Sequence, residues 1–373
     1  MNFLEILAKF DHNLRPFIVE RFPKAGTFIY SRGRKVFLNM LASEPIDGRA
    51  EIPESYAKTL WDIKFKSPLF NAAGMFKYGD GYVTVQKQGA GAFLCGTSTA
   101  GYRSGNRKDK VVHPFISYPK SESASNWMGL PNYGHVDLAR RVQSIVKKDG
   151  CPIGASISIT PEDEGKVAIN GLLDGLKLFQ KTQADFIEVN ESCPNVQHQS
   201  GKDAGNGLDQ YLIDRLEAIS TNFLKIREKN LPIIVKFSND TDLELIPELI
   251  KILIDLGFDG VNFGNTSTDY KYVKSILNPK DKKAFDYFTE NFGGGVSGSV
   301  LKNKSYNLCK VAADIIKQKD LKTEFHIIRT GGIQDYEDIK ASEEIGVSLN
   351  QWYTGYFEAF AKYGNDIYLR MFE

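Results

Sequence analysis

Short apolar runs rich in β-branched and aromatic residues recur along the chain, each about as long as one strand. They are Pro68–Ala72, Ala92–Gly96, Ile153–Ser158, Phe186–Asn190, Ile233–Phe237, Gly260–Phe263, Phe325–Arg329 and Ser348–Trp352. Between them, apolar residues recur at helical spacing in Gly171–Thr182, Tyr211–Lys229, Asp242–Leu256, Ser305–Lys319 and Tyr336–Glu344. Eight strands alternating with helices is the count of a (β/α)8 barrel, which takes roughly 250 residues. A doubly wound sheet would need a Gly-rich GxGxxG turn after its first strand. Here the first strand runs into Asn71-Ala72-Ala73-Gly74-Met75, so the pattern predicts a TIM barrel of the α/β class over residues 63–373.

Residues 1–62 fall outside that alternation and predict a small N-terminal helical extension. Phe3, Leu7 and Phe10 mark one face of a short helix. A second helix is expected to begin near Asn13 with Pro16 in its first turn, and a third to run from Thr27 to Leu41. From Met1 to Lys35 there are seven Lys/Arg against three Asp/Glu. Such helices can cap the barrel, or lie with a basic, aromatic face on an anionic membrane. Both hold if they form an apolar channel against the barrel. Two stretches, Gly101–Asn132 and Ser267–Ser299, exceed ordinary connections and are expected as loops over the barrel mouth.

Composition narrows the function. In 373 residues, 47 Lys+Arg balance 46 Asp+Glu, which removes the usual electrostatic basis for nucleic-acid binding. Hydrophobic residues at 42% and charged residues at 25% are those of an ordinary globular chain. No run approaches the roughly 18 to 20 apolar residues of a spanning helix. The four cysteines are scattered, without CxxC or ligand-spaced histidines, so neither a metal site nor a disulfide framework is expected. The N-terminus is broken by Glu5, Lys9 and Asp11 and lacks a signal-peptide core. A cytoplasmic protein is expected, with the basic prefix available for peripheral contact at the inner face of the cell membrane.

Candidate chemistry lies at the C-terminal ends of the strands, where barrels place their sites. Gly331-Gly332 after the seventh strand, Tyr353-Thr354-Gly355 after the eighth and the loop Gly294–Gly298 offer backbone N–H groups suited to a phosphate. Asn126, Asn190, Asn195 and Asn265, with Thr266, offer paired donors and acceptors that suit alternating N–H and C=O groups. With Lys77 available for a carboxylate, they point to a planar, anionic, pyrimidine-like substrate. Cys193, flanked by polar residues at a strand end, is a candidate base, whereas Cys95, Cys151 and Cys309 are expected to be buried and inert. Lys236 ends an apolar strand, where a cation is tolerated if it faces developing negative charge, such as that of a reduced flavin.

Three motifs carry a family resemblance: Asn126-Trp127-Met128-Gly129-Leu130-Pro131-Asn132, Asn190-Glu191-Ser192-Cys193-Pro194-Asn195 and Gly294-Gly295-Val296-Ser297-Gly298. From about Ile63 onward the chain resembles the dihydroorotate dehydrogenases, FMN enzymes that oxidise dihydroorotate to orotate in pyrimidine synthesis. The resemblance implies that FMN is held by Ala73 to Lys77 (with Gly74), Thr97, Ser156, Asn190, Lys236, Gly264, Gly298, Gly332, Tyr353 and Thr354. It implies that orotate is held by Lys77, Asn126, Met128, Gly129, Leu130, Asn190, Asn195, Asn265 and Thr266. Cys193 would take the C5 proton while the C6 hydride goes to flavin N5.

The sequence mixes two classes of that family. A cysteine base, the MGLPN segment and Ser156 resemble the soluble class. The helical prefix, Lys77 and Gly-Thr after the second strand resemble the membrane-linked class, which uses its prefix as a quinone tunnel. The prefix favours a quinone as acceptor. The alternatives are a soluble-class enzyme using fumarate or another small acceptor, a relative acting on another pyrimidine, and a non-enzymatic flavin-binding barrel. Arg329, where a small residue is usual, and Glu191, where an apolar one is usual, depart from the family pattern.

Overall fold

The computed structural model describes residues 2–46, 50–191 and 208–373. Eight short parallel strands form the barrel: β1 (Leu69–Asn71), β2 (Phe93–Ser98), β3 (Ile153–Ile157), β4 (Phe186–Asn190), β5 (Ile233–Phe237), β6 (Gly260–Phe263), β7 (His326–Thr330) and β8 (Leu349–Trp352). Seven ladders join them in the order β1-β8-β7-β6-β5-β4-β3-β2. Every strand is covered on both faces, which is why each reads as a continuous apolar run. No ladder joins β1 to β2; past β1, Gly74 N donates to Gly96 O at 2.7 Å and Phe76 bridges Cys95, and within the seam the link is the side chain of Asn71. Its Nδ2 donates to Leu94 O at 2.7 Å, and its Oδ1 accepts from Leu94 N at 3.3 Å.

The surrounding helices follow the periodicity of the sequence. The helix Ile246–Leu256 buries Ile246, Leu249, Ile250 and Leu253, one stripe at i, i+3, i+4 and i+7, and ends at Gly257 in the left-handed region. The expected segment Tyr211–Lys229 is instead a helix Gln210–Asn222 followed by a 3₁₀ turn, Leu224–Ile226. The N-terminal end of the barrel is plugged by an antiparallel hairpin, Lys58–Leu60 with Ile63–Phe65. Its turn residues Trp61 and Asp62 both have positive φ, as a two-residue hairpin turn requires. Trp61 and Phe65 pack with Phe70, Phe186 and Ile328, and Trp61 Nε1 donates to Asp259 O at 3.1 Å.

The prefix differs from its expectation. One helix, α1 (Phe3–Arg21), replaces the two predicted there, with Pro16 inside it, and α2 (Pro23–Ser43) follows after a single residue. Pro16 is accommodated because the turns around it are fastened elsewhere. Arg15 bonds Asp11 at 2.6 and 2.8 Å and reaches across to Glu358 at 2.9 Å. Leu4, Ala8 and Val19 are buried on either side of it. The Phe3 and Phe10 face that marks the first helix in sequence points outward, 66% and 64% exposed, rather than onto the barrel. A capping box between Asn2 and Glu5 starts α1, and Glu5 also accepts from Asn365 N at 3.1 Å. Phe115 N donates to Ser31 Oγ at 2.9 Å, tying α2 to the barrel's accessory sheet.

The two long stretches are not bare loops. They supply Phe115–Tyr118, Ser123–Asn126 and Gly295–Gly298, which form a three-stranded antiparallel sheet. The register pairs Gly295 with Asn126 and Gly298 with Ser123, so two of the sequence motifs lie side by side. The helices Tyr270–Ile276 and Lys282–Asn291 belong to the second stretch. Among the described residues no helix is long and apolar enough to cross a membrane.

His135 begins the helix that follows the accessory sheet and is buried, with Nδ1 2.8 Å from Ser98 Oγ. Burial lowers its pKa from 6.5 to about 4. Between those values the unfolded chain binds a proton that the folded chain does not, so this contribution to stability is present above pH 6.5 and lost as pH falls toward 4. His135→Gln is expected to flatten the acid limb of the stability curve by up to about 3 kcal/mol. Denaturant unfolding from pH 7 to 4 measures it.

Candidate active site

A cleft opens at the C-terminal ends of the strands. Its wall gathers Ala73, Gly74, Lys77, Thr97, Asn126, Met128, Leu130, Asn190, Lys236, Asn265, Thr266, Gly298, Gly332, Tyr353 and Thr354. Three sequence candidates lie off the wall. Ser156 is fully buried behind Thr97, their hydroxyls 2.8 Å apart. Gly264 is tied back to β7 through Thr330 O at 2.9 Å. Gly129 supports its neighbours from a left-handed position close against Asn106. Cys193 and Asn195 lie outside the described residues.

The cleft floor rests on a charge that the sequence reading overlooked. Glu188 on β4 is 1% exposed, inside the barrel. Its carboxylate accepts from Lys236 Nζ at 3.2 Å, Asn262 Nδ2 at 2.8 Å and Gln351 Nε2 at 2.7 Å. The Thr330 hydroxyl lies 2.8 Å from Asn262 Oδ1 and 3.0 Å from Gln351 Oε1, and donates to one at a time. Four strands, β4 to β7, and the neighbouring β8 thus meet in one polar layer, of which Lys236, Thr330 and Gln351 reach the cleft. Strand alternation held the signal, since Glu188 and Asn190 share a face and only Asn190 stood out as a strand-end amide.

Around the mouth, Thr97, Asn190 and Asn265 form a chain of long contacts, 3.5 Å from Asn190 Nδ2 to Thr97 Oγ1 and 3.4 Å from Asn265 Nδ2 to Asn190 Oδ1. On the opposite arc, Ser297 and Thr354 bring their hydroxyls within 2.9 Å beside Gly298 and Gly332. Gly332 has φ +80°, and a Cβ there would meet Lys302 Cα at 2.4 Å; at Gly298, with φ +102°, it would meet Glu122 O at 2.4 Å. Only glycine lets these two segments lie where they do, with backbone on the cleft wall.

The Glu191 departure is accounted for by Arg215, which grips its carboxylate through Nη2 at 2.7 Å and Nε at 3.0 Å. The pair fastens the end of β4 to the helix Gln210–Asn222, and its charges are compensated within it. Cys95, Cys151 and Cys309 are buried free thiols, and burial pushes Cys95 and Cys309 up to about 12, far from the reactive thiolate. No group of three or more His, Cys, Asp or Glu side chains is arranged to hold a metal ion among the described residues.

A second cavity lies between the two prefix helices and the barrel. Leu7, Ala8, Ile29, Phe37, Phe115 and Phe357 give it apolar walls, and Tyr353 and Thr354 are shared with the first cleft. Polar groups enter at a few points. Arg34 Nη1 donates to Tyr353 OH at 2.9 Å, while Arg34 Nε and Ser117 Oγ are buried there without a hydrogen-bond partner. Burial, with Asp11 nearby, raises the Tyr30 hydroxyl pKa, so it stays a neutral donor. Glu358 is held by Arg15 at 2.9 Å and by His12 Nδ1 at 3.2 Å.

Removing the carboxylate of Glu188 would strand the Lys236 ammonium in the barrel interior. Glu188→Ala is therefore expected to lower stability by about 3–5 kcal/mol. Chemical denaturation would register this, and a loss under 1 kcal/mol would mean the network is dispensable.

Comparisons with known proteins agree with this architecture. The family model described as dihydroorotate dehydrogenase matches residues 55–367. The chain is 30% identical over 305 residues to the dihydroorotate dehydrogenase (quinone) of Nautilia profundicola, covering 79% of this chain and 72% of that protein. It is 28% identical over 291 residues to the enzyme of the same name from Dichelobacter nodosus, covering 78% and 80%. Among solved structures, DHODH from Eimeria tenella in complex with ferulenol superposes with a TM-score of 0.72 at 20% identity, over 91% of this chain and 89% of that one.

Proposed function

Because the chain belongs to the dihydroorotate dehydrogenase family, we propose that it oxidises dihydroorotate to orotate in pyrimidine synthesis, with FMN as cofactor and a quinone as electron acceptor. The observation that carries the substrate assignment is the gathering of Lys77, Asn126, Asn190, Asn265 and Thr266 on one cleft wall. Thr266 Oγ1 is buried there without a hydrogen-bond partner, a polar group that a bound molecule would satisfy. Lys77 would meet the substrate carboxylate, and the amides would orient the ring by pairing with its N–H and C=O edges.

The residues present fit FMN. Gly298, Gly332 and the hydroxyls of Ser297 and Thr354 would hold its phosphate, and Ala73, Gly74, Thr97, Asn190 and Lys236 would line its ring. When bound, FMN supplies the two-electron acceptor for the hydride that leaves C6 of dihydroorotate. Lys236, held by Glu188, would keep a compensated positive charge against the ring where negative charge develops. Cys193 Sγ, as the family resemblance has it, would take the C5 proton.

The acceptor reading rests on the second cavity, whose apolar walls suit a hydrophobic ring and tail. The unpartnered Arg34 Nε and Ser117 Oγ are donors that a quinone carbonyl would use. Residues 1–62 are then the access segment. Phe3, Ile6, Phe10, Phe17 and Phe22 of the prefix are half exposed or more, among exposed Lys9, Arg21 and Lys24. A helix pair with that surface would rest peripherally on an anionic membrane from which a quinone is drawn.

Anaerobic addition of dihydroorotate is expected to bleach the flavin absorbance of the purified protein; a yellow protein that stays oxidised would remove the substrate assignment. Cys193→Ala should slow that bleaching by roughly 10²-fold or more while leaving orotate binding in place. An unchanged reductive rate would take Cys193 out of the mechanism. Arg34→Met is expected to raise the quinone KM about tenfold with the reductive half-reaction unaltered. Equal turnover with fumarate and no response to quinone would favour the soluble-class alternative.

A further inference from the structure

The seventh strand carries a buried cation that the proposed reaction leaves unused. Arg329 is 1% exposed and directs its guanidinium outward, toward the helices α3 (Lys302–Ile316) and α4 (Tyr336–Glu344). Its Nε donates to Ser305 Oγ at 2.9 Å, its Nη1 to Ser342 Oγ at 2.9 Å and Asp338 O at 3.3 Å, and its Nη2 to Lys302 O at 2.9 Å. The acceptors are two hydroxyls and two backbone carbonyls. The nearby Asp338 carboxylate is engaged elsewhere, by Lys302 Nζ at 2.8 Å and Gln334 N at 2.9 Å. Lys302 is partly exposed and takes up the Asp338 carboxylate, so among the described residues no carboxylate bonds the buried Arg329 guanidinium itself. Burial weakens Arg329's hold on its proton, but a guanidinium stays charged.

An uncompensated buried charge is costly unless something nearby offsets it. The groups that Arg329 holds also touch the cleft. Ser305 Oγ donates to Gly331 O at 2.6 Å, and Lys302 Cα would lie 2.4 Å from a Cβ on Gly332. One residue therefore separates the guanidinium from Gly331-Gly332, which lines the cleft. The same residues form the start of α3, whose N-terminal dipole has the same sign as the buried charge.

We propose that Arg329 is a positioning residue for the cofactor's phosphate monoester: it clamps the Gly331-Gly332 loop to the start of α3 and supplies, from behind, the positive charge that the dianion neutralises. This rests on the FMN reading above. It accounts for an arginine at a position where the family usually has a small residue. A purely structural strut would make the same hydrogen bonds but would have no preference for an anion in the cleft.

The test is flavin binding by the full-length chain freed of cofactor, followed by quenching of flavin fluorescence. FMN and riboflavin differ only in the phosphate, so their affinity ratio isolates the term in question. Arg329→Met and Arg329→Gln are expected to weaken FMN binding by roughly tenfold or more while leaving riboflavin within about twofold. Arg329→Lys, which keeps the charge, should retain most of the ratio. Equal loss for both flavins would make Arg329 a strut, and no loss for either would remove it from cofactor binding; each result overturns the proposal. If the Met variant does not fold, the Gln and Lys variants carry the comparison, because both keep a donor toward Ser305 or Ser342. A wild-type chain that binds FMN no better than riboflavin would instead overturn the phosphate reading of the cleft, and this proposal with it.

Discussion

An ammonium group in the middle of a parallel barrel cannot be sustained by the apolar strands around it, and in this chain Glu188 is what makes Lys236 tenable there. The carboxylate meets the lysine, and Asn262 and Gln351 complete its hydrogen bonds, so the layer is fully compensated before anything binds above it. Strand register follows from this. Each member of the layer must face inward at one height, and a one-residue slip of any strand would turn its member into the helix layer. The position of Lys236 under the cleft is thus set by five strands at once, which is the rigidity that a site for transition-state charge requires.

The prefix adds a second chamber without rebuilding the first. Its helices are fastened at separated points, through Glu5 to Asn365, Arg15 to Glu358 and Ser31 to Phe115, and between those anchors the space stays open. Fixed ends with an unfilled middle are what an internal passage needs. Asp11, Arg15 and Glu358 are paired with one another, while Arg34 meets the Tyr353 hydroxyl, so the polarity comes from a few directed donors and the walls stay apolar.

Much of this was legible in the sequence. Seven ladders join eight strands whose sequence runs match to within a few residues, because strands covered on both faces must be apolar throughout. The strand-end amides and glycines were legible for the same reason, since polar residues stand out against such runs. Single-position cues did less well. Pro16 reads as a helix start, yet tertiary fastening by Arg15 overrides that preference. Glu188 was hidden because its partners come from other strands, distant in sequence and adjacent only once the barrel closes. Arg329 and Glu191 read as departures from the family pattern. Both prove to face helices behind the site, where local sequence gives no sign of what they meet.

The seam between β1 and β2 gives the barrel an uneven stiffness. Everywhere else two neighbouring strands are held by a ladder, and parting them would break several backbone bonds together. Along this line the fastening is one amide side chain, Asn71 clasping Leu94, with isolated backbone bonds at the rim such as Gly74 N to Gly96 O at 2.7 Å. The loop that leaves β1 bears Lys77 and the end of β2 bears Thr97, both on the cleft wall. The cylinder therefore has one edge held by a clasp and isolated bonds rather than by a ladder, and that edge runs into the mouth of the cleft.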